Sequence, residues 1–595
     1  MMKKMVSVVL MICMLFCSVS FAEQDDSAAM ENALVSLEAD TLPVYLEING
    51  TEPFNQAFPV FYVNEVEDLP YVDIRDAVNF INSMITMDNP ENPQYLIECN
   101  EESEMTEIHL DGNESFLWMD FGDQTVTYTN YNTFGNPGSG ILMDALASSG
   151  FDAETGEAEL FQRNPNAVIQ RNGNPLTIHM GDYNISMIHQ NTLFLMPLHT
   201  VFILLLDMPN EGGVITCVSP NGIFIGSGEM FGYLDAGLLS DLGELYYKGT
   251  AGERSPQLAG YGLNELCMEM DHFYGLKEVH GISSFMELVI NSGLFETILS
   301  PNGAEADAAL AGLLNYYLDD GHTGYNGNSP WTGADPEYNP LTEIGSGFST
   351  SSSYDVRTAF ENAQKVYPDA KKPYLEVGNT AFIYQEQFKI GKNPAEYYTD
   401  EISEEEIAED TVALIIYAHR QITRENSPIE NVVIDLSCNG GGQADAAVFM
   451  LCWFLGDAPF SITSPATGAQ STALYRADVN LDRHFDEKDE LAGKNLYCLT
   501  SPLSFSCGNL VPWIFKSSGK VTLLGDTTGG GSCVVLPMSS AWGSLFQTSG
   551  TSRISFVKNG SYYDVDRGVD PDVFLTKVST FCDREKLTEI INNLY

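Results

Sequence analysis

Residues 500–515 read TSPLSFSCGNLVPWIF. The run NLYCLT that leads into them, 495–500, is apolar and predicts a strand. Small polar residues then turn the chain, and a helix is expected to begin near Gly508. A hydroxyl at such a junction stands at the positive end of a helix, beside backbone N–H groups with no intrahelical acceptor. One turn of this kind can supply both a nucleophile and an oxyanion donor. Serine-rich turns also simply cap helices, so the meaning of this one depends on its surroundings.

Upstream, VVIDLSCNGGGQADAA at 432–447 is a β-branched run followed by three glycines and a helix with Val448, Leu451, Cys452 and Leu455 on one face. The glycines give either a tight strand–helix turn or a second set of N–H donors, because only glycine takes positive φ freely. Downstream, VTLLGD at 521–526 predicts another strand, GDTTGGGS occupies 525–532, and DRGVDPDV occupies 566–573. Ser403 and Glu406 form a capping box that opens an amphipathic helix carrying Ile407, Thr411, Leu414, Ile415 and Ala418. Strand–helix alternation of this kind predicts an α/β layered fold with parallel pairing.

The order D-L-x-x-N-G-G-G, S-F-S-C-G-N, G-D-T-T-G-G-G, G-V-D-P-D-V resembles the C-terminal-processing (tail-specific) serine peptidase family over about residues 256–595. The resemblance implies a Clp-protease/crotonase-like α/β core. Counting back from LLGD without a gap places the family nucleophile on Ser506, with Ser504 as runner-up. It implies oxyanion donors at the N–H of Cys507 and of Gly440 or Gly441. The same count puts the family's lysine position on Gly531, and no lysine lies between Lys520 and Lys558. The sequence therefore looks like the branch similar to the tricorn core, in which a histidine supplies the base. LDDGHTG nominates His322, whose imidazole is mostly neutral at pH 7. The acid that orients it is expected near the last motif, at Asp566 or alternatively Asp564. Between Thr323 and Glu430 there is no glycine loop of the PDZ kind, so recognition of free C-termini is not expected.

The chain has 595 residues, too long for a single core. Residues 1–22 read as a signal peptide: Lys3 and Lys4, an apolar run from Met5 to Val19, then Ser20-Phe21-Ala22 before the cleavage site. Residues 23–255 alternate short apolar runs (Pro43–Ile48, Phe58–Val63, Phe116–Phe121, Val214–Val218) with turn pairs and predict a β-rich region; its function is open, with substrate or envelope binding as the candidates. Within it LPYVDIRDAVNFI and FLMPLHTVFILLL are similar strand-then-helix units. His109, His179, His189 and His199 lack metal-ligand spacing and are read as core or surface histidines. Residues 256–340 predict a helical subdomain, with Leu310, Leu313, Leu314 and Tyr317 on one helix face. Residues 341–595 are the expected α/β peptidase core.

A net charge of −54 disfavours nucleic acid and anionic lipid as partners. Leu193–Leu206, the most apolar later run, is interrupted by Pro197 and His199, so no membrane span is expected. Nine cysteines remain beyond residue 22, an odd number without C-x-x-C spacing, which argues against both a disulfide framework and a zinc site.

In RADVNLDRHFDEKDEL, Asp478, Asn480, Asp482, Asp486 and Asp489 fall at positions 1, 3, 5, 9 and 12 of an EF-hand-type loop, with the carbonyl of His484 at position 7. The loop is either a calcium site or an acidic surface turn; Arg483 stands where glycine is expected. The expected function is secreted serine endopeptidase acting on protein or peptide substrates, with no cofactor for the chemistry and a structural calcium ion. The alternative is an inactive peptidase-fold protein serving as an extracellular or envelope-associated binding module. Oligomeric state is not encoded in any motif.

Overall fold

The structure, a computed structural model, describes residues 35–594 apart from 48–52, 55–56, 136–159, 165–166, 210–212, 228–240, 249–252, 333–347 and 400. The signal-like residues 1–22 lie outside the described residues.

Strands Thr380–Tyr384, Asn431–Asp435, Asn495–Thr500, Val521–Gly525 and Val573–Phe574 form a parallel sheet in that order, and Tyr374–Val377 adds an antiparallel edge. Alternate residues face opposite sides, as the pleat dictates. Ala381, Ile383, Val432, Ile434 and Cys498 pack with helices Thr411–Thr423, Ala444–Leu455 and Cys507–Ser518. Phe382, Tyr384, Val433, Tyr497 and Leu499 pack with Phe360, Phe581 and Leu587 on the other side. Both faces are covered, which is why Asn431–Asp435 is buried along its whole length.

A second sheet crosses both boundaries expected at 255 and 340. Its strands Gln470–Ala477, Ala458–Thr463, Leu545–Ser555 and Cys533–Ser539 come from the last third. Gly324–Gly327 joins it from the helical part, and Phe161–Arg163 and Ile169–Arg171 join from the β-rich region. A single apolar cluster likewise mixes Ile108, Phe202, Leu266, Leu314 and Trp542. The three parts thus share sheet and core.

The β-rich region contains an antiparallel meander of Tyr95–Asn100, Met105–Leu110, Phe116–Asp120, Thr125–Tyr128 and Leu176–His179. Its two similar units lie side by side: Pro70–Asp73 pairs antiparallel with Leu193–Pro197, and each strand runs directly into a helix. Among the described residues no helix is long and apolar enough to cross a membrane. All nine described cysteines are free.

Two local expectations are corrected. The capping box of Ser403 and Glu406 forms, but its helix is only Glu406–Glu409. Asp410 ends it and caps a new helix, Thr411–Thr423, by accepting from the N–H groups of Val412 and Ala413. After Gly303–Gly312 the helix widens to π geometry over Leu313–Leu318. The wider turn rotates Tyr317 out to 44% exposure, while Leu310, Leu313 and Leu314 stay buried.

Candidate active site

Ser506 sits between the strand Asn495–Thr500 and the helix Cys507–Ser518, with φ 57° and ψ −124°. A non-glycine residue there carries about 1–3 kcal/mol of strain and must be held by its neighbours. Its N–H donates to Gly530 O at 2.9 Å, and its carbonyl accepts from the N–H groups of Asn509 and Leu510. Gly441, with φ +108°, packs so closely that a Cβ there would lie 2.7 Å from Ser506 Cβ. The Ser506 hydroxyl has no partner among the described residues and is half-buried at the head of the helix. Ser504 is different: it is fully buried and its Oγ donates to Leu436 O at 2.7 Å. It closes a turn and cannot meet a substrate. The Cys507 thiol is no rival either, because burial pushes its pKa up to about 12.

The oxyanion donors are only partly as expected. The Cys507 N–H meets no acceptor among the described residues. Gly440 N–H, however, donates to Glu386 O at 3.1 Å, and Gly441 N–H donates to Asn439 Oδ1 at 2.9 Å. The glycine loop is zipped onto the segment after Thr380–Tyr384, where Phe388 N–H donates to Gly441 O and Gln443 N–H to Phe388 O. In this arrangement neither Gly440 nor Gly441 offers a free donor. One of those bonds must open before either can.

His322 reaches this centre from the helical part. Its ring lies against that of Phe505, the residue preceding Ser506, with centroids 4.6 Å apart. The Phe505 ring is wedged between two glycines: a Cβ on Gly321 would sit 2.4 Å from Cζ, and one on Gly531 2.6 Å from the same atom. Gly531 is the lysine position of the sequence count, and Phe505 fills the space that a side chain there would need. His322 is 6% exposed, and neither ring nitrogen is hydrogen-bonded among the described residues. Burial lowers its pKa below the ordinary 6.5, against the pull of the Asp320 and Asp566 carboxylates.

Asp320, which the motif reading passed over, builds the histidine turn. Its Oδ1 accepts from the N–H groups of His322 and Thr323 at 3.0 and 2.9 Å and from Ser549 Oγ; Oδ2 accepts from Tyr274 OH at 2.7 Å. An aspartate two residues before the histidine is the signal that could have found it. Asp566 acts electrostatically on His322 while accepting from Ser532 N–H and Oγ. Asp564 pairs instead with Arg553 at 2.7 Å and points its charge elsewhere.

Asn509 holds the motifs together, another role missed. Its Nδ2 donates to Val565 O at 2.7 Å, and its Oδ1 accepts from Thr528 Oγ1 at 2.6 Å. With these contacts the four motifs meet around Ser506, and a family model with the description Peptidase family S41 matches residues 410–575. Residues 410–575 form a peptidase family S41 domain. This makes the last third of the chain a serine-type peptidase domain. His322 and Asp320 lie outside the S41 match.

No curated protein sequence matches the chain. Among solved structures, the photosystem II D1 C-terminal processing protease is similar over 36% of this chain and 49% of its own, at 16% identity and TM-score 0.25. The chain thus spans about half of that relative's length. A lipoprotein from Streptococcus agalactiae is similar over 39% and 73%, at 16% identity and TM-score 0.25. A mutant of CPAF is similar over 57% and 98%, at 12% identity and TM-score 0.37.

The acidic loop lies at the edge of the S41 domain. Asp478 accepts from the N–H groups of Asp482 and Arg483 and from Tyr398 OH, and Asp489 accepts from those of Val479, Asn480 and Asp486. Asn480 Oδ1 accepts from Asp482 N–H, and Asp482 Oδ1 from His484 N–H. Arg483 takes φ 62° in place of the expected glycine, and its guanidinium covers the Tyr398 ring. The Lys488 ammonium lies 3.3 Å from Asp486 and 3.6 Å from Asp482. The loop's carboxylates accept from its own N–H groups and, among the described residues, are not gathered around one point.

Proposed function

We propose that the protein is a secreted serine endopeptidase whose S41 domain, of Clp-protease/crotonase-like type, cleaves internal peptide bonds through an acyl-enzyme on Ser506. The observation that carries this reading is the strained Ser506 beside a histidine-bearing turn, with a phenylalanine filling the lysine position. His322 takes the Oγ proton as Oγ bonds to the scissile carbonyl carbon. The oxyanion so formed faces the Cys507 N–H and one N–H released from the glycine loop. The imidazolium gives its proton to the leaving amine as the C–N bond breaks. Water then attacks the ester carbon as His322 takes one of its protons, and His322 passes that proton to Oγ as the Oγ–C bond breaks. Asp566 favours the imidazolium in each half-reaction, and Asp320 positions the turn. The chemistry needs no cofactor. Secretion rests on residues 1–22, and the β-rich region is assigned to substrate or envelope binding.

In the resting site His322 and Ser506 are not hydrogen-bonded, and a donor from Gly440 or Gly441 requires one bond of the glycine loop to open. That same observation favours a second reading, an inactive binding module. Cleavage of a denatured protein that stops on fluorophosphonate treatment, but not on chelation, decides for the peptidase.

The pH dependence follows from burial. A general base works only when neutral, and the His322 pKa is lowered from 6.5. As pH falls, kcat/KM should therefore decline with a midpoint below 6.5. Asp566→Asn removes an anion that favours the imidazolium, so it should move the decline further to the acid side. A decline centred above 6.5 contradicts this assignment of the base.

Calcium binding at Asp478, Asn480, Asp482, His484, Asp486 and Asp489 remains part of the proposal, with the ion displacing Lys488. At free calcium 100-fold above the dissociation constant, binding stabilises the fold by about 2.7 kcal/mol. Calcium should raise the melting temperature of the wild type and leave that of a variant carrying Asp478→Ala and Asp482→Ala unchanged. Equal shifts in both, or none, identify the loop as an acidic turn held by its own N–H groups.

A further inference from the structure

Glu269 is buried completely, and neither of its carboxylate oxygens has a hydrogen-bond partner. It lies on the 18-residue helix Pro256–Phe273, one turn beyond Glu265, which is also 0% exposed. His199 faces both from the short helix Leu198–Phe202 of the β-rich region. One ligand atom from each of these three side chains lies within 4.8 Å of the other two, the one such grouping among the described residues. We infer that His199, Glu265 and Glu269 form a buried site for a divalent transition-metal cation that fastens the β-rich region to the peptidase part.

The surrounding hydrogen bonds prepare each ligand. Ser539 Oγ gives its proton to Thr216 O at 2.5 Å, so it can only accept from His199 Nε2, 2.8 Å away. Nε2 therefore carries a proton, and Nδ1 faces Glu265 Oε2 at 2.6 Å. The other Glu265 oxygen, Oε1, accepts from Thr200 Oγ1 and Tyr261 OH, both at 2.5 Å. A metal-bound imidazole that donates its second N–H, and a carboxylate fixed through its second oxygen, are the usual outer contacts of such a centre. Here they come from Ser539 on Cys533–Ser539, Thr216 on Ile215–Ser219, and the helix Pro256–Phe273. With His199 and Thr200 on Leu198–Phe202, the centre joins four separate stretches of chain.

A proton is the rival way to neutralise Glu269. It removes the charge but leaves a buried carboxylic acid with a donor and acceptors that still lack partners, which is costly. A divalent cation removes the charge and uses the oxygens as well. With a neutral imidazole and two carboxylates the ligand charge of −2 cancels that of the ion. One nitrogen and carboxylate oxygens suit zinc, manganese or ferrous iron. Ligands about 2.1 Å from a tetrahedral ion stand about 3.4 Å apart, so binding opens the 2.6 Å contact of His199 Nδ1 with Glu265 Oε2 and draws the Glu269 carboxylate in. Enclosure on all sides marks a structural centre rather than one that binds substrate.

The test uses the full chain, produced in zinc-supplemented medium and dialysed. Elemental analysis should find one zinc per chain, and an anomalous difference map at the zinc edge should place it between His199 Nδ1 and the two carboxylates. Glu269→Gln should lose the zinc, whereas the variant carrying Asp478→Ala and Asp482→Ala should keep it. Zinc absent from the wild type, zinc bound elsewhere, a water at this position, or equal zinc in Glu269→Gln overturns the inference. Should Glu269→Gln not fold, the map of the wild type decides alone.

Discussion

Ser506→Ala is expected to lower turnover of a protein substrate by about 10⁶-fold while the chain still folds. The size follows from the chemistry: without Oγ there is no acyl-enzyme, and what remains is substrate binding and whatever oxyanion stabilisation the Cys507 N–H supplies. The fold should survive because the hydroxyl has no partner among the described residues and alanine tolerates the same backbone no worse than serine. The contacts that hold the elbow, Ser506 N–H to Gly530 O and Gly441 beneath it, are made by backbone and Cβ and persist in the variant. Turnover is read under substrate saturation, with melting curves as the folding control. Ser504→Ala gives the contrast: it removes the bond to Leu436 O and should cost stability, about 1–3 kcal/mol, rather than chemistry.

His322→Ala should cost nearly as much as loss of the serine, because members of a nucleophile–base unit fail together. A merely structural histidine would reduce activity in proportion to folded protein and leave the pH profile of the remainder unchanged. Here the acid decline of kcat/KM should vanish from the residual activity. The packing offers a further check. Phe505 separates Gly321 from Gly531, so Gly531→Lys, which restores the family's residue type, should not rescue His322→Ala: its side chain would meet the Phe505 ring. Rescue would mean that the lysine position was assigned correctly but that Phe505 moves aside freely.

How much of this was legible beforehand depends on the range of the contacts involved. Asn431–Asp435, the turn at Ser506 and the helix from Cys507 follow from local signals, a β-branched run, small residues and glycine, and the structure has them at those positions. The paired units at Pro70–Asp73 and Leu193–Pro197 were visible as similar strings, but their antiparallel pairing was not, because pairing is a tertiary property. The break at Asp410 was misread since the apolar pattern continues across it; only an aspartate able to cap a new helix marks it. The family resemblance implies a donor at Gly440 or Gly441, yet their N–H groups are used by Glu386 and Asn439, partners that no spacing rule predicts. His199 is buried, as a core histidine should be, but its partners could not be read from spacing. Its carboxylate neighbours lie 66 and 70 positions along the chain, at Glu265 and Glu269, and Ser539 is more distant still.

The central claim is that Ser506 is an activated nucleophile, and covalent labelling tests it without knowledge of the natural substrate. The full chain is treated with a fluorophosphonate probe at neutral pH, digested, and the modified peptide is sequenced by mass spectrometry. A single adduct on Ser506, formed slowly or not at all in His322→Ala, is the predicted result. An adduct on Ser504, labelling that persists in Ser506→Ala, or a wild-type chain that stays unlabelled would contradict it.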